Sequence, residues 1–456
     1  MASIFAREAL TRAGWQANVL VEIDQLGRIA DVNADASPAA DSHRVAALLP
    51  APSNLHSHTF QRAMAGLAEA RGPAARDSFW TWREIMYRFL DVLEPDEIEA
   101  VAALAFMEMQ EAGFAAVAEF HYLHHQPGGG AYADLGELGA RIAAAAAETS
   151  IGLTLLPVHY AQGGVDGRPL AGGQLRFGND LDRYLELVAR AEATIKALPG
   201  DAGWGYAPHS LRAVGAADLE RLAGMRGDRP FHMHIAEQQQ EIDEMLAVHG
   251  ARPVEWLLDT VAVDRRWCLI HCTHMSEKET AGLAAAQATA GLCPVTEGNL
   301  GDGIFDGARF RAAGGVFGVG SDSNIRIGVA GELRQLEYSQ RLRDRLRVVM
   351  ADAGQSSGRE LYGTALEGGA RALGRDSGAL APGQWADLLA LDPARSALFE
   401  LTGDRLLDGW IFAGGNETVI DLWSAGRHMV RDGRHRGRDA IVRRYASCME
   451  SVMARL

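Results

Sequence analysis

Phe231-His-Met-His-Ile-Ala-Glu237 reads as a short apolar strand that ends in side chains able to do chemistry. His232 and His234 are two apart, so on a strand they share a face. Glu237 follows His234 by three, close enough to move a proton without binding whatever His234 binds. Helical spacing begins directly afterwards, over 239–248. A buried strand, a polar tip and then a helix form the repeating unit of a parallel α/β fold.

The same unit recurs along the chain. Short apolar runs lie at 45–49, 115–120, 151–158, 204–207, 231–235, 267–270, 291–294 and 315–319. Helix-like stretches at 94–112, 181–197, 216–225, 239–248, 253–260 and 276–286 lie between them. Eight runs alternating with helices over about 280 residues suit an α/β fold of the (β/α)8 TIM-barrel type. A doubly wound open sheet has the same alternation. The barrel is favoured because polar residues stand at the C-terminal end of nearly every run, where barrel sites are built.

The flanks have a different pattern. Residues 18–23 and 29–32 form a hairpin-like pair around Gly27, while 386–391 and 419–431 are strand-rich, with turns at Gly426 and Gly433. The two ends are expected to pair into one small β-sandwich. The predicted organisation is 1–48 as its N-terminal part, 49–380 as the barrel, and 381–456 as the rest of the sandwich plus a terminal helix. In that helix Ile441, Tyr445, Met449 and Met453 have helical spacing.

The 456 residues carry 44 basic and 59 acidic side chains, a net charge of −15, and are 48% hydrophobic. That composition supports a large core and excludes a disordered or collagen-like chain. The acid excess weighs against nucleic acid and anionic membranes as partners, but allows a small anion held by local arginines. No basic segment leads an apolar stretch at the N-terminus and no 18-residue apolar run exists, so a cytoplasmic protein without a membrane partner is expected. The four cysteines form no CxxC, which favours free thiols in a reducing compartment. Lys196 and Lys278 are the only lysines, so nearly all positive charge is arginine.

Four candidate clusters carry chemistry. They are His56-Ser-His58, His234 with Glu237, His271 with His274, and Asp322 within Gly318-Val-Gly-Ser-Asp322-Ser-Asn324. Singly, each has an ordinary reading: a histidine of the core or surface, or Asp322 as a helix N-cap. Jointly they occupy the ends of runs one, five, six and eight, which a barrel brings to one mouth. Nitrogen and carboxylate ligands meeting there suit Zn²⁺, or Fe²⁺ as the alternative, with an open position for water. A metal-dependent hydrolase is therefore expected.

These residues resemble the amidohydrolase superfamily, and Pro382-Gly-Gln-Trp-Ala-Asp387-Leu resembles that superfamily's return to its β-sandwich. Dinuclear members usually bridge two metals with a carboxylated lysine at the fourth strand. Both lysines here fall in helix-like stretches, so the resemblance implies one divalent ion per subunit, held by His56, His58, His234 and Asp322. His234-x-x-Glu237 resembles the deaminase branch, whose glutamate handles the proton of the leaving amine. Within that branch Ser53–Met64 (Ser53-Asn-Leu-His-Ser-His-Thr-Phe-Gln-Arg-Ala-Met64), Ser78-Phe-Trp-Thr-Trp-Arg83, Glu119-Phe-His-Tyr122, Ala207-Pro-His-Ser-Leu-Arg212 and Thr296-Glu-Gly-Asn-Leu-Gly-Asp-Gly-Ile-Phe305 are similar to the formimidoylglutamate deiminase family. Gly298 departs from that pattern, standing where a small non-glycine residue is usual.

The resemblance implies a homodimer that hydrolyses N-formimino-L-glutamate to N-formyl-L-glutamate and ammonia in histidine degradation. It implies catalytic roles for Glu237, His271 and Asp322 and substrate-binding roles for Gln61, Arg83, Tyr122, His209 and Arg212. The chemistry of the substrate agrees: two carboxylates call for guanidinium forks. A guanine or related heterocycle deaminase would share the metal site without needing two such arginines. A non-catalytic barrel module is the remaining alternative, although no expected ligand is missing.

Overall fold

In the computed structural model, which describes residues 2–71, 78–225, 227–395 and 398–456, the alternating runs form two parallel sheets. Barrel strands one to three are Ser53–Ser57, Ala116–His121 and Gly152–His159, and the fourth is split into Gly203–Trp204 and Ala207–Pro208. Strands five to eight are Phe231–Ile235, Trp267–His271, Thr289–Leu292 and Val316–Val319. Parallel bridges from Tyr206 to Phe231 and from Ser210 to His234 join strand four to strand five, and a bridge from Ser57 to Asp322 joins strand one to strand eight. The sheet therefore closes, and the expected (β/α)8 barrel is what forms. Closure removes the free edges and buries both faces of each strand, which is why the runs are almost wholly apolar.

The helices follow from local signals. Leu181–Ile195 opens on Asp180, whose side chain accepts the Arg183 N–H at 2.9 Å, and it buries Leu181, Tyr184, Leu187, Val188, Ala191 and Ile195 at three- and four-residue intervals. Pro95–Glu111 starts on proline with Asp96 and Glu97 in its first turn, where negative charge suits the helix N-terminus. The C-terminal helix Arg438–Met453 packs on this helix, burying Ile441 and Val452. Met453, expected on the buried stripe, is 49% exposed instead, so the stripe ends on Val452. No helix among the described residues is long and apolar enough to cross a membrane.

One expected barrel run belongs elsewhere. Residues 45–49 lie within strand His43–Pro50, which pairs parallel with Ala2–Thr11 and antiparallel with Leu388–Leu391 in an eight-stranded sheet made from both chain ends. Its apolar side chains are divided between two cores. Val45 and Leu48 join Ile4, Val21, Leu388 and Trp423 inside the terminal unit, while Ala47 and Leu49 face the barrel. A strand buried on both faces looks the same in sequence whichever sheet it enters. The first barrel strand is thus Ser53–Ser57, which carries His56 itself.

A buried charge network fastens the two parts. Arg375, 8% exposed, donates to Asp387 at 2.7 and 2.9 Å and to Asp201 at 3.0 Å. Asp387 also accepts the Ala425 N–H, and Arg427 reaches Asp201 at 2.7 Å. Asp387 in the returning Pro382–Asp387 phrase is therefore a docking residue between sheet and barrel.

Candidate active site at the barrel mouth

The mouth is built on uncommon backbone. His271, Cys272, Ala236 and Asp322 have φ of 73°, 52°, 52° and 44°, left-handed values for residues with a Cβ. Each costs roughly 1–3 kcal/mol, and such strain gathers where side chains must be aimed. Cys272 N–H donates to Ile235 O (3.1 Å) and His274 N–H to Ala236 O (3.0 Å), while a hydrogen-bond lattice between strands one and eight holds Asp322. Asp322 N–H donates to His56 O (3.0 Å), His58 N–H to Asp322 O (2.9 Å), and Asn324 Nδ2 to Ser57 Oγ and His58 O (both 3.1 Å). Gly320 is required by closeness: a Cβ there would lie 2.7 Å from His56 O. Glu119 on strand two accepts Thr59 N–H (2.8 Å) and Oγ1–H (2.7 Å), pinning the loop after His58, and burial pushes its carboxyl up to about 7. Asp322 is no helix N-cap, since the next helix, Val329–Asp344, begins after Gly328.

Four side chains converge. His56 Nε2 lies 3.2 Å from His58 Nε2 and 3.1 Å from His234 Nε2, and Asp322 Oδ1 is 3.5 and 3.4 Å from the first two. The second ring nitrogens set the proton positions. His58 Nδ1–H donates to Phe120 O and His234 Nδ1–H to His209 O, each at 3.0 Å. Their Nε2 atoms are therefore lone pairs. Burial lowers His56 to about 3 and drives His58 and His234 below the ordinary imidazole range, so the rings are neutral. Although burial opposes it, His56, His271 and His58 hold the Asp322 carboxyl below the usual range.

This arrangement fits a divalent cation. Lone pairs crowded at 3.1–3.5 Å, with at most one proton on His56 Nε2 to share, lack donors for one another. The separations match the roughly 3.4 Å edge of a tetrahedron around an ion with about 2.1 Å bonds. Backbone carbonyls on the far nitrogens are the usual way of orienting such ligands. Lys196 and Lys278 lie on helix surfaces, paired with Glu192 and Glu255, away from the mouth.

His271 and Glu237 border this group. His271 Nε2 is 3.9 Å from Asp322 Oδ2 and 3.8 Å from Glu237 Oε1. Against the lowering effect of burial, Glu237, Glu297 and Asp322 raise this imidazole to about 10. Glu297 at 3.3 Å from His271 Nδ1 was not anticipated; it lies on Pro294–Leu300, held by Cys293 N–H at 2.9 Å. Glu297 stood within the quoted Thr296–Phe305 phrase, and its place one turn into a helix after strand seven is the signal that could have found it. Gly298 on the same helix turns toward Gln335, away from the pocket. His274 and His232 are structural. The first bonds Asp302 O at 2.8 Å, and the second, two residues before His234 on the same face, bonds Ala372 O at 2.7 Å.

A pocket of about 810 Å³, counted to its open mouth, adjoins these groups, and every residue expected to bind substrate lines it. Gln61 Nε2 donates to Tyr122 OH at 2.9 Å, leaving its buried Oε1 without a partner among the described residues. The His209 ring packs 4.8 Å from His234 and 4.6 Å from Tyr160. Arg212 Nη2 donates to Glu237 Oε2 at 3.0 Å, while its buried Nη1 has no hydrogen-bond partner among the described residues. Arg83 has no carboxylate within ion-pair reach among the described residues; its guanidinium lies over Trp80 at 4.5 Å. Phe79, Trp82 and Tyr87, on the helix Phe79–Leu90 that also carries Arg83, form the wall with Phe177 and Arg168 and were not singled out. The first two stood within the quoted Ser78–Arg83 phrase, and the last two lie in loops distant in sequence.

Comparison with known proteins agrees with this geometry. Residues 47–429 match the Amidohydrolase family, and residues 1–46 match the N-terminal domain of formimidoylglutamate deiminase HutF. The chain is 49% identical to a formimidoylglutamate deiminase of Pseudomonas aeruginosa, over 99% of this chain and all of that one. The crystal structure of an amidohydrolase from Brucella melitensis superposes with a TM-score of 0.96 at 48% identity, covering 99% of this chain and 100% of that one. An adenosine deaminase from Xanthomonas campestris with bound zinc shares the fold, with a TM-score of 0.82 at 21% identity over 99% and 98% of the two chains. Fold, mouth geometry and full-length identity thus agree: the chain belongs to the amidohydrolase family, in the group of the formimidoylglutamate deiminases.

Proposed function

We propose that this protein hydrolyses N-formimino-L-glutamate to N-formyl-L-glutamate and ammonia with a divalent ion, zinc in preference to iron(II), held by His56, His58, His234 and Asp322. The observation that carries the substrate assignment is guanidinium capacity without acid partners: all of Arg83, and Nη1 of Arg212, in the pocket beside Glu237. A dicarboxylate supplies what those donors lack, whereas a neutral heterocycle would leave them unmatched.

The bound ion, one per subunit, supplies a water acidified toward neutral pH. The side chains do the rest. Asp322 Oδ2 takes the proton that the attacking water gives up, and the protonated His271, whose Nε2 is 3.9 Å from Asp322 Oδ2, orients the water's oxygen. Oxygen adds to the formimino carbon, and His271 donates to that oxygen as the carbon becomes tetrahedral. The formimino group enters as an amidinium. The Glu237 carboxylate takes the hydroxyl proton of the tetrahedral carbon and passes it to the amino nitrogen, so the carbonyl forms as the C–N bond breaks and ammonia leaves. The first water proton is left on Asp322. Arg212 holds Glu237 Oε2, which aims the free Oε1 toward the reacting carbon. The α-carboxylate is one carbon from the retained nitrogen, so it falls to Arg212. The distal carboxylate then reaches the outer pocket and Arg83.

Ammonia release from N-formimino-L-glutamate, measured beside guanine and 8-oxoguanine, tests the assignment. Turnover confined to the formimino substrate is expected. Faster turnover of either heterocycle would overturn it.

A further inference from the structure

The outer pocket holds a third arginine that neither the motifs nor the mechanism uses. Arg168 lines the pocket with Gly163 and Gly164, in a loop that follows barrel strand three. That loop is tied down. Gly163 N–H donates to Arg168 O at 2.7 Å and Gly167 N–H to Gly164 O at 2.9 Å, while Ala161 and Gln162 both donate to Ala213 O, next to Arg212. Val165 is buried beneath it.

The guanidinium lies flat on Gly164. A Cβ at that position would be 2.3, 2.5 and 2.6 Å from Cζ, Nη2 and Nη1 of Arg168, so a bare Cα makes this pose possible. Its acid partner is Asp166, two residues away at 3.0 Å, and both side chains are about half exposed (54% and 52%). Such a pair contributes little and exchanges readily for another carboxylate. Glu244 also lines the mouth, so without local arginines a dianion would meet repulsion there.

We propose that Arg168 is a specificity-determining residue that receives the distal carboxylate of the substrate at the pocket mouth, together with Arg83. This rests on the functional reading above. Arg212 is committed to Glu237 and the inner carboxylate, and the remaining carboxylate is matched by the outer arginines.

The test compares the metal-loaded wild type with Arg168→Met, Arg168→Lys and Gly164→Ala, using N-formimino-L-glutamate and N-formimino-glycine, which lacks the distal carboxylate. Arg168→Met should lower kcat/KM for the glutamate substrate about tenfold through KM, with kcat within about twofold, and should flatten its dependence on ionic strength. The glycine analogue should be unaffected. Arg168→Lys should recover part of the loss, and Gly164→Ala, which displaces the guanidinium but keeps the charge, should fall between. An unchanged KM in Arg168→Met, or an equal loss on both substrates, would overturn the proposal. Calorimetric titration with N-formyl-L-glutamate needs no turnover and separates the two readings. Inactive wild type with tenfold weaker binding in Arg168→Met would overturn the reaction yet keep the arginine's role, and equal binding would overturn that role.

Discussion

The barrel mouth and the terminal sheet each gather imidazoles around one aspartate, and they differ in what holds the far ring nitrogen. At the mouth, backbone carbonyls accept from Nδ1 of His58 and His234, which turns their Nε2 lone pairs inward. In the terminal sheet, His43 and His428 approach the two oxygens of Asp421 at 3.0 and 2.7 Å, but Arg431 Nε donates to His428 Nδ1 at 3.1 Å. A guanidinium only donates, so the proton of His428 is on Nε2 and satisfies Asp421. Trp423 stacks on the His428 ring at 4.2 Å and completes a hydrogen-bonded tie between the two chain ends. The same residue types thus make a cluster of lone pairs that fits a divalent cation in one place and a strand fastener in the other. The difference comes from the outer partners, carbonyls for His58 and His234 and a guanidinium for His428.

Substitutions around each cluster should separate the two kinds. Glu237→Gln keeps the cage but removes the proton carrier. Its turnover should fall about a thousandfold with metal content unchanged, and retained activity in a steady-state assay would remove Glu237 from the mechanism. Glu297→Gln leaves every contact to the cage in place and weakens only the orientation of His271. A ten- to hundredfold fall in kcat with little change in KM is expected, and a loss of metal instead would mean that Glu297 supports the cage.

Asp421→Asn should leave kcat/KM unchanged and act on stability alone. Burial raises this carboxyl, but hydrogen bonds from His428 and His43 outweigh it and hold it below its ordinary range. A lowered carboxyl pKa stabilises fully above the unfolded value near pH 4 and is lost as pH falls through the native one. The variant should therefore lose about 1 kcal/mol at neutral pH and converge with wild type in acid, as read by urea denaturation. A gap that widened toward low pH would contradict the assigned hydrogen bonds.

Much of the mouth was legible in the sequence. A strand end followed by a helix fixes where a side chain points, so His234, His271 and Asp322 could be placed from spacing, whereas His56 and His58 belong to Ser53–Ser57 and its end, a strand the spacing did not mark. Depth along the strand was not legible: His232 and His234 share a face, and only the hydrogen bond to Ala372 O separates the first ring from the one that reaches the mouth. Residues 45–49 read as barrel for a related reason, because two-sided burial erases the alternation that would mark a sheet face. Glu297, Arg168 and the aromatic side chains of the helix Phe79–Leu90 come from segments distant in sequence that meet only when the barrel closes.

The cage itself is tested most directly by counting divalent ions per chain, by plasma mass spectrometry, in wild type, His234→Ala and His428→Ala. The expected result is about one ion per chain in wild type and His428→Ala, and almost none in His234→Ala. A full complement in His234→Ala, or an ion lost with His428, would contradict it.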